Sequence, residues 1–216
     1  MFFGHIVIPG NTTQSELWQE VEKVISKDYF RKDGSIIKVG ASCFDSGGHA
    51  VLQVYEFALK MTQKGYKVFA IKGRPGKGPV FEYKAKSSKT YKAHRFYSVS
   101  ADTTKETLFS RLKLQIQGEN YIHFSKTLDM PYYNQLTCEV PKWGLVKGRP
   151  RQEWIQKPGT RREAPDCWRY GFSALYSDNQ RAYNTSCADY EARLKNEVKV
   201  EKPKVQKNAY LEKFRY

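Results

Sequence analysis

Two aspartates, Asp45 and Asp166, stand in settings that suit chemistry. Asp45 follows the run Ile36-Ile37-Lys38-Val39-Gly40-Ala41-Ser42-Cys43-Phe44, apolar or small at every position but Lys38 and Ser42, and Ser46-Gly47-Gly48 come next. So continuous a run predicts a central strand buried on both faces. A carboxylate at the C-terminal end of such a strand lies where open α/β sheets place their ligands. Asp166 falls in the first turn of a helix, three residues after Glu163. Carboxylates brought together from a strand end and a helix build oxygen-ligated Mg²⁺ or Mn²⁺ sites. Two such ions, about 3.5–4 Å apart, activate water and stabilise the leaving oxygen in phosphodiester hydrolysis.

Plainer roles compete for both residues. Asp166 has Arg162 at i−4 and Arg169 at i+3, a helical surface pairing of small energetic value. Asp45 can cap the following helix or its turn. His49, one turn into that helix, is expected to face solvent. With four histidines in the chain, no Ser/His/Asp or Cys/His arrangement is argued from spacing.

The elements that must position these residues follow from pattern. Phe2 to Ile8 reads as a short strand stopped by Pro9-Gly10. A helix capped by Ser15 carries Trp18, Val21, Val24 and Ile25 on its buried face. Asp33-Gly34 is a turn into the organising strand. Val51, Val54, Tyr55, Ala58 and Leu59 form a helical stripe that Lys64-Gly65 ends, and Lys67 to Ile71 is the next strand. Strand, helix, strand of these lengths is a βαβ unit with parallel strands. Ala93 to Ser100 reads as another strand. Asp102 or Thr103 caps a helix bearing Leu108, Phe109, Leu112 and Ile116, which Gly118 closes. Tyr121 to Phe124 is extended, Tyr132 to Cys138 a short helix, and Lys142 to Arg162 a basic hairpin with Trp143 and Trp154 partly buried. The last helix, from about Arg162 or Glu163 to Tyr176, has Ala164, Cys167, Trp168, Gly171, Ala174 and Leu175 on its apolar face. From 181 to 216 the chain reads as a charged tail.

A length of 216 residues with 40% hydrophobic and 14% aromatic content suits one domain with a tail and excludes wholesale disorder. No apolar run approaches the ~20 residues that span a bilayer, so no membrane is implied. Cys43, Cys138, Cys167 and Cys187 form no CxxC pair and read as reduced thiols. The net charge of +15 is concentrated in two places. Lys72 to Arg95 holds eight Lys/Arg against Glu82, and Lys142 to Arg162 seven against Glu153, net +7 and +6. That pattern favours a polyanionic partner, and Phe81, Tyr83, Tyr91, Trp143 and Trp154 add aromatic surface. In the first segment, the Gly- and Pro-rich Lys72-Gly73-Arg74-Pro75-Gly76-Lys77-Gly78-Pro79 lacks a GxxxxGK[ST] motif and is no P-loop. It leaves its strand on the edge that carries Asp45, so Lys72, Arg74 and Lys77 are expected to overhang the acids and grip phosphates. Arg149 and Arg151 are further candidates.

The run Cys43-Phe44-Asp45-Ser46-Gly47-Gly48-His49, then Val54-Tyr55 and Val68-Phe69-Ala70-Ile71-Lys72-Gly73-Arg74, resembles the nuclease domain of the lambda-like GpA family of large terminase subunits. Lys105 with Leu108, Arg111-Leu112, Tyr121-Ile122-His123-Phe124, Gln135-Leu136-Thr137, Trp154 with Lys157-Pro158-Gly159, and Arg162-Glu163-Ala164-Pro165-Asp166-Cys167 extend the likeness in order over about residues 1 to 180. The resemblance implies an α/β, RNase H-like mixed sheet flanked by helices and Mg²⁺- or Mn²⁺-dependent cutting of double-stranded DNA. Asp45 and Asp166 match the family's second and third acids. Its first acid lies on a preceding strand, and no residue before Asp45 supplies it. The expectation is therefore a nuclease domain over 1–180, truncated at its N-terminus and without the ATPase domain. The resemblance also implies a small terminase subunit and a portal or procapsid as partners, and action in the bacterial cytoplasm. Other readings are a catalytically inactive DNA-binding or assembly fragment and an RNase H-like enzyme of resolvase or integrase type.

Overall fold

The computed structural model describes residues 4–31, 33–84, 96–118, 120–146 and 148–177, with the side chains of 146, 149 and 151 left out. The expected tail and the boundary at 180 lie outside these residues, as do Tyr91, Cys187 and the first part of the strand expected from Ala93.

Helix α1 (Ser15–Ser26) opens the ordered elements, with Gln14 rather than Ser15 at the N-cap and no side-chain capping bond. Gly4 to Ile8, expected as a strand, belongs to none, and Ile6 and Val7 are 62% and 75% exposed. The long apolar run breaks in two. Its start, β2 (Ile36–Ile37), pairs antiparallel with β1 (Tyr29–Phe30) across the Asp33-Gly34 turn. There Asp33 Oδ1 accepts from Ser35 N–H, and Gly34 adopts φ +80°. Its end is β3 (Ser42–Asp45), parallel to β4 (Val68–Arg74) through α2 (Val51–Gln63). The βαβ unit thus forms as the pattern predicts, with Gly65 in the left-handed conformation after the helix. His49 precedes α2 instead of lying within it.

The sheet has the order β3-β4-β6-β5, where β6 is Phe96–Ser100, parallel to β4, and β5 is Glu82–Lys84, antiparallel to β6. The organising strand is therefore an edge among the described elements, and all four of its residues are only partly buried or exposed. Both sheet faces are covered. Phe44, Val68 and Ala70 pack with Val54, Phe57, Ala58 and Met61 of α2 and with α1, where Trp18 sits 4.9 Å from Phe57 between ring centres. Fully burying Val54, Phe57, Met61 or Val68 is worth about 1.5–3 kcal/mol each. The opposite face, carrying Ile71 and Val99, meets Tyr170 of α5 (Glu163–Ala174).

Helix α3 (Ala101–Leu112) starts directly after β6, with Ser100 as the N-cap accepting from Thr103 N–H. The helix stops before Ile116, which is 85% exposed, because no neighbour covers a further turn. Asp129 caps α4 (Met130–Leu136), whose Pro131 sits in the first turn. Leu108, Tyr132, Leu136, Trp168 and Phe172 then form a second core between α3, α4 and α5.

The basic segment is a hairpin of β7 (Glu139–Val146) and β8 (Arg149–Gln156). Trp154 packs on Phe109, 4.8 Å between ring centres, whereas Trp143, expected to be partly buried, is 69% exposed. At its base Lys105 Nζ meets Glu139 at 2.7 Å, both side chains under a tenth exposed, and lies 5.6 Å from the Trp154 ring centre. Breaking one member of a buried pair leaves an uncompensated charge, so Lys105→Met or Glu139→Gln alone is expected to destabilise by about 3–5 kcal/mol. Urea denaturation checks this, and the double variant Lys105→Met/Glu139→Leu is expected to lose less than either single change.

Candidate functional site

Strand alternation decides which side chains share the site. Asp45 is opposite Ile71 in the parallel register, and Ile71 is two residues from Gly73. Successive strand residues point to opposite faces, so Cys43, Asp45, Ile71 and Gly73 share the face that α5 covers. Tyr170 joins them: its hydroxyl donates to Asp45 Oδ2 at 3.3 Å. A Cβ at Gly73 would stand 3.0 Å from the same hydroxyl, so β4 needs glycine where the tyrosine crosses it.

Asp45 is exposed, and its Oδ1 accepts from Gly47 N–H at 2.8 Å. It thus closes its own turn; the helix cap is Ala50. Ser46 behind it is fully buried, with both its N–H and hydroxyl donating to the Ile71 carbonyl. These bonds fix the chain immediately after the carboxylate.

Asp166 lies in the first turn of α5, one turn ahead of Tyr170, so the two share a helix face. Its Oδ1 is paired with Arg169 Nη2, and Arg162 Nε stands 3.6 Å from Oδ2. Both arginines that the sequence offers as neutralising partners are engaged. Arg169 is itself buried, and its Nε and Nη1 have no hydrogen-bond partner among the described residues.

Tyr170 links α5 to Asp45, and Asp166 lies one helical turn before it. Burial pushes the Tyr170 hydroxyl above its ordinary pKa, and the charges of Asp45 and Asp166 add to this against the pull of Arg169. Cys167 reaches the surface, contrary to its expected place on the apolar face, yet desolvation, then Asp166, Glu163 and Asp45 raise its thiol. Among the described residues no group of three or more His, Cys, Asp or Glu gathers as a metal site. Both aspartates offer oxygen donors, and Asp45 is open to solvent. That fits Mg²⁺ or Mn²⁺, which bind through one or two carboxylates and complete their shells with water and phosphate.

The basic residues sit differently from expectation. Lys72 and Arg74 are on the carboxyl edge of β4, but alternation turns them to the sheet face opposite Asp45. Lys72 Nζ lies 5.9 Å from the Phe96 ring centre. The Arg74 guanidinium occupies the space a Cβ would take at Gly78. Lys77 pairs with Glu106 of α3 at 3.0 Å. Arg149 and Arg151 are in β8, away from the sheet, and their side chains lie outside the description. His49 is exposed. Sequence reasoning missed Tyr170 and Gly73. The i+4 spacing of Tyr170 from Asp166 and a glycine inside a strand pattern were the available signals.

A mixed α/β sheet with helices on both faces is that of an RNase H-like nuclease domain. The chain belongs to the family of the terminase large subunit gpA endonuclease domain, whose family model matches residues 1–184. It is 31% identical over 179 residues to the terminase large subunit of Escherichia phage lambda, covering 78% of this chain and 27% of that protein. It is also 31% identical over 189 residues to the terminase large subunit of Enterobacteria phage P21, covering 82% and 28%. The chain thus spans about a quarter of the curated relatives it matches. No solved structure matches it.

Two outcomes follow from the packing of this face. Gly73→Ala is expected to cost about 1–3 kcal/mol by overpacking, and Tyr170→Phe, which removes the crowded oxygen, should recover part of that in a double-mutant cycle of denaturation measurements. The second concerns Cys43, whose thiol burial pushes up to about 12 from an ordinary 9.0. The unfolded chain loses this proton near 9 while the folded one holds it. The contribution is therefore complete below pH 9 and is lost as pH rises toward 12. Denaturation midpoints should fall over that window, less steeply in Cys43→Ala.

Proposed function

We propose that this domain is a metal-dependent endonuclease that cuts concatemeric double-stranded DNA within a phage terminase large subunit during genome packaging. The hydrogen bond from Tyr170 of α5 to Asp45 at a strand end, with Asp166 in the first turn of the same helix, carries this reading. Membership of the terminase endonuclease family supports it. Asp45 and Asp166 would hold Mg²⁺ or Mn²⁺. Such an ion supplies charge neutralisation at the phosphate and an activated water.

The chain's own residues orient the donors. Tyr170 and the Gly47 N–H fix the Asp45 carboxylate, and Arg169 and Arg162 hold Asp166. Lys72, Arg74 and Lys77 would meet phosphates on the sheet face opposite Asp45, Lys77 after leaving Glu106, with Arg149 and Arg151 contributing from the hairpin. In that setting the small terminase subunit and the portal or procapsid are the assembly partners, and the cytoplasm of the bacterial host is the place of action.

A second reading, DNA binding without cutting, draws on the two arginines that already neutralise Asp166. It expects salt-sensitive binding and no nicking at millimolar Mn²⁺. Plasmid nicking separates the two. On the nuclease reading, Asp45→Asn and Asp166→Asn each lower the Mn²⁺-dependent nicking rate by more than about 100-fold, beyond the 10–100-fold typical of an outer-shell change. Nicking by both variants at the unsubstituted rate would exclude these carboxylates.

A further inference from the structure

The carboxylate of Asp166 carries two guanidinium groups, one on each oxygen, and the fold holds them in opposite ways. Arg169, on α5, pairs through Nη2 with Oδ1, and its side chain is only 7% exposed. Its guanidinium lies over the Tyr170 ring, 5.2 Å from the ring centre, and its Nε and Nη1 have no partner among the described residues. Taking Asp166 away from it would leave a buried charge uncompensated, the costly way to break an ion pair.

Arg162 is held loosely. Its side chain is 57% exposed, and its Nε stands 3.6 Å from Oδ2, longer than the about 2.7–3.2 Å of an N–H···O hydrogen bond. An exposed contact of this kind contributes little, because water replaces the lost partner. The start of the helix does not depend on it either. Arg162 makes no side-chain capping bond, and it is its backbone carbonyl that accepts from Asp166 N–H at 3.2 Å. The side chain is therefore free to leave while the backbone of the first turn stays.

Charge then decides the outcome. Two guanidinium groups already outweigh one carboxylate, and a divalent cation at the same carboxylate adds two more positive charges beside them. Repulsion requires one guanidinium to withdraw, and burial selects which. We propose that Arg162 is the exchangeable counter-ion of Asp166, giving up Oδ2 to a divalent cation, while Arg169 stays on Oδ1 and holds the carboxylate in place. Arg162 thus keeps Asp166 neutralised until the ion arrives and is released as an exposed cation when it does.

This rests on the reading of Asp166 as a metal ligand, and the test separates the two. Mn²⁺ binding to the full chain is measured without DNA, from the loss of the free-ion electron paramagnetic resonance signal. Arg162→Gln is expected to bind Mn²⁺ about 5–10-fold more tightly, the worth of an exposed pair plus the relief of repulsion between cations. Arg162→Lys keeps the charge and should stay within about twofold of the unsubstituted chain. In an Asp166→Asn background, Arg162→Gln should change nothing, because the neutral amide has no counter-ion to exchange. Unchanged affinity in Arg162→Gln, with Asp166→Asn still weakening binding, would overturn the exchange and leave the metal assignment standing. An equal gain from Arg162→Gln with and without the Asp166 carboxylate would overturn it as well, as a general effect of charge. Binding that Asp166→Asn does not weaken would remove Asp166 from the site and the exchange with it. Thermal melting checks that each variant is folded.

Discussion

Helix α5 crosses the sheet where β4 presents a glycine beneath Tyr170. The hydroxyl comes within 3.0 Å of the place a Cβ would occupy at Gly73, and it reaches past that point to the Asp45 carboxylate. A side chain there would press on the Tyr170 hydroxyl. The rest of α5 is anchored by Trp168 and Phe172 against α3 and α4, where an apolar core tolerates little displacement. The helix is thus held from two sides, and the position of its first turn follows from both.

Two buried charges show how differently the fold treats its polar groups. Lys105 is fully engaged, with Glu139 on one side and the Trp154 ring on another. Arg169 has one nitrogen on Asp166, while two more find no partner among the described residues. An unsatisfied buried donor costs about 1–3 kcal/mol. A fold holds such a cost where the group does something else, and Arg169 fixes the orientation of a carboxylate at the site.

The βαβ unit, the hairpin and the last helix were legible because each has strong local periodicity or punctuation, as with Lys64-Gly65 after α2. The centre of the sheet was misread for a physical reason. Ile36 to Phe44 is apolar throughout, but a continuous apolar run does not report where the chain turns. Here Ile36–Ile37 serves a small hairpin and Ser42–Asp45 the main sheet. The aspartates were legible from their places at a strand end and a helix start. Tyr170 was not, because its role depends on which residue of β4 lies beneath it, a tertiary fact that no local pattern contains. Trp143 was misjudged since aromatic content alone does not separate a core ring from one held out on a ribbon.

The separation of charge at the sheet edge follows from the period of two along a strand. Lys72 is one residue beyond the partner of Asp45, close enough in sequence and space to neutralise it if both pointed the same way. They do not: alternation sends Asp45 toward α5 and Lys72 toward the α2 face. Among the described residues Asp45 has no ion pair, and its carboxylate is held by the Gly47 N–H and the Tyr170 hydroxyl. A shift of one residue in the β3–β4 pairing would reverse this arrangement, moving Asp45 to the α2 face with Phe44 taking its place under Tyr170. Ser46, fully buried and bonded twice to the Ile71 carbonyl, opposes that slip. The register that packs the core is therefore the same constraint that keeps the carboxylate of Asp45 and the cations of β4 apart on one sheet edge.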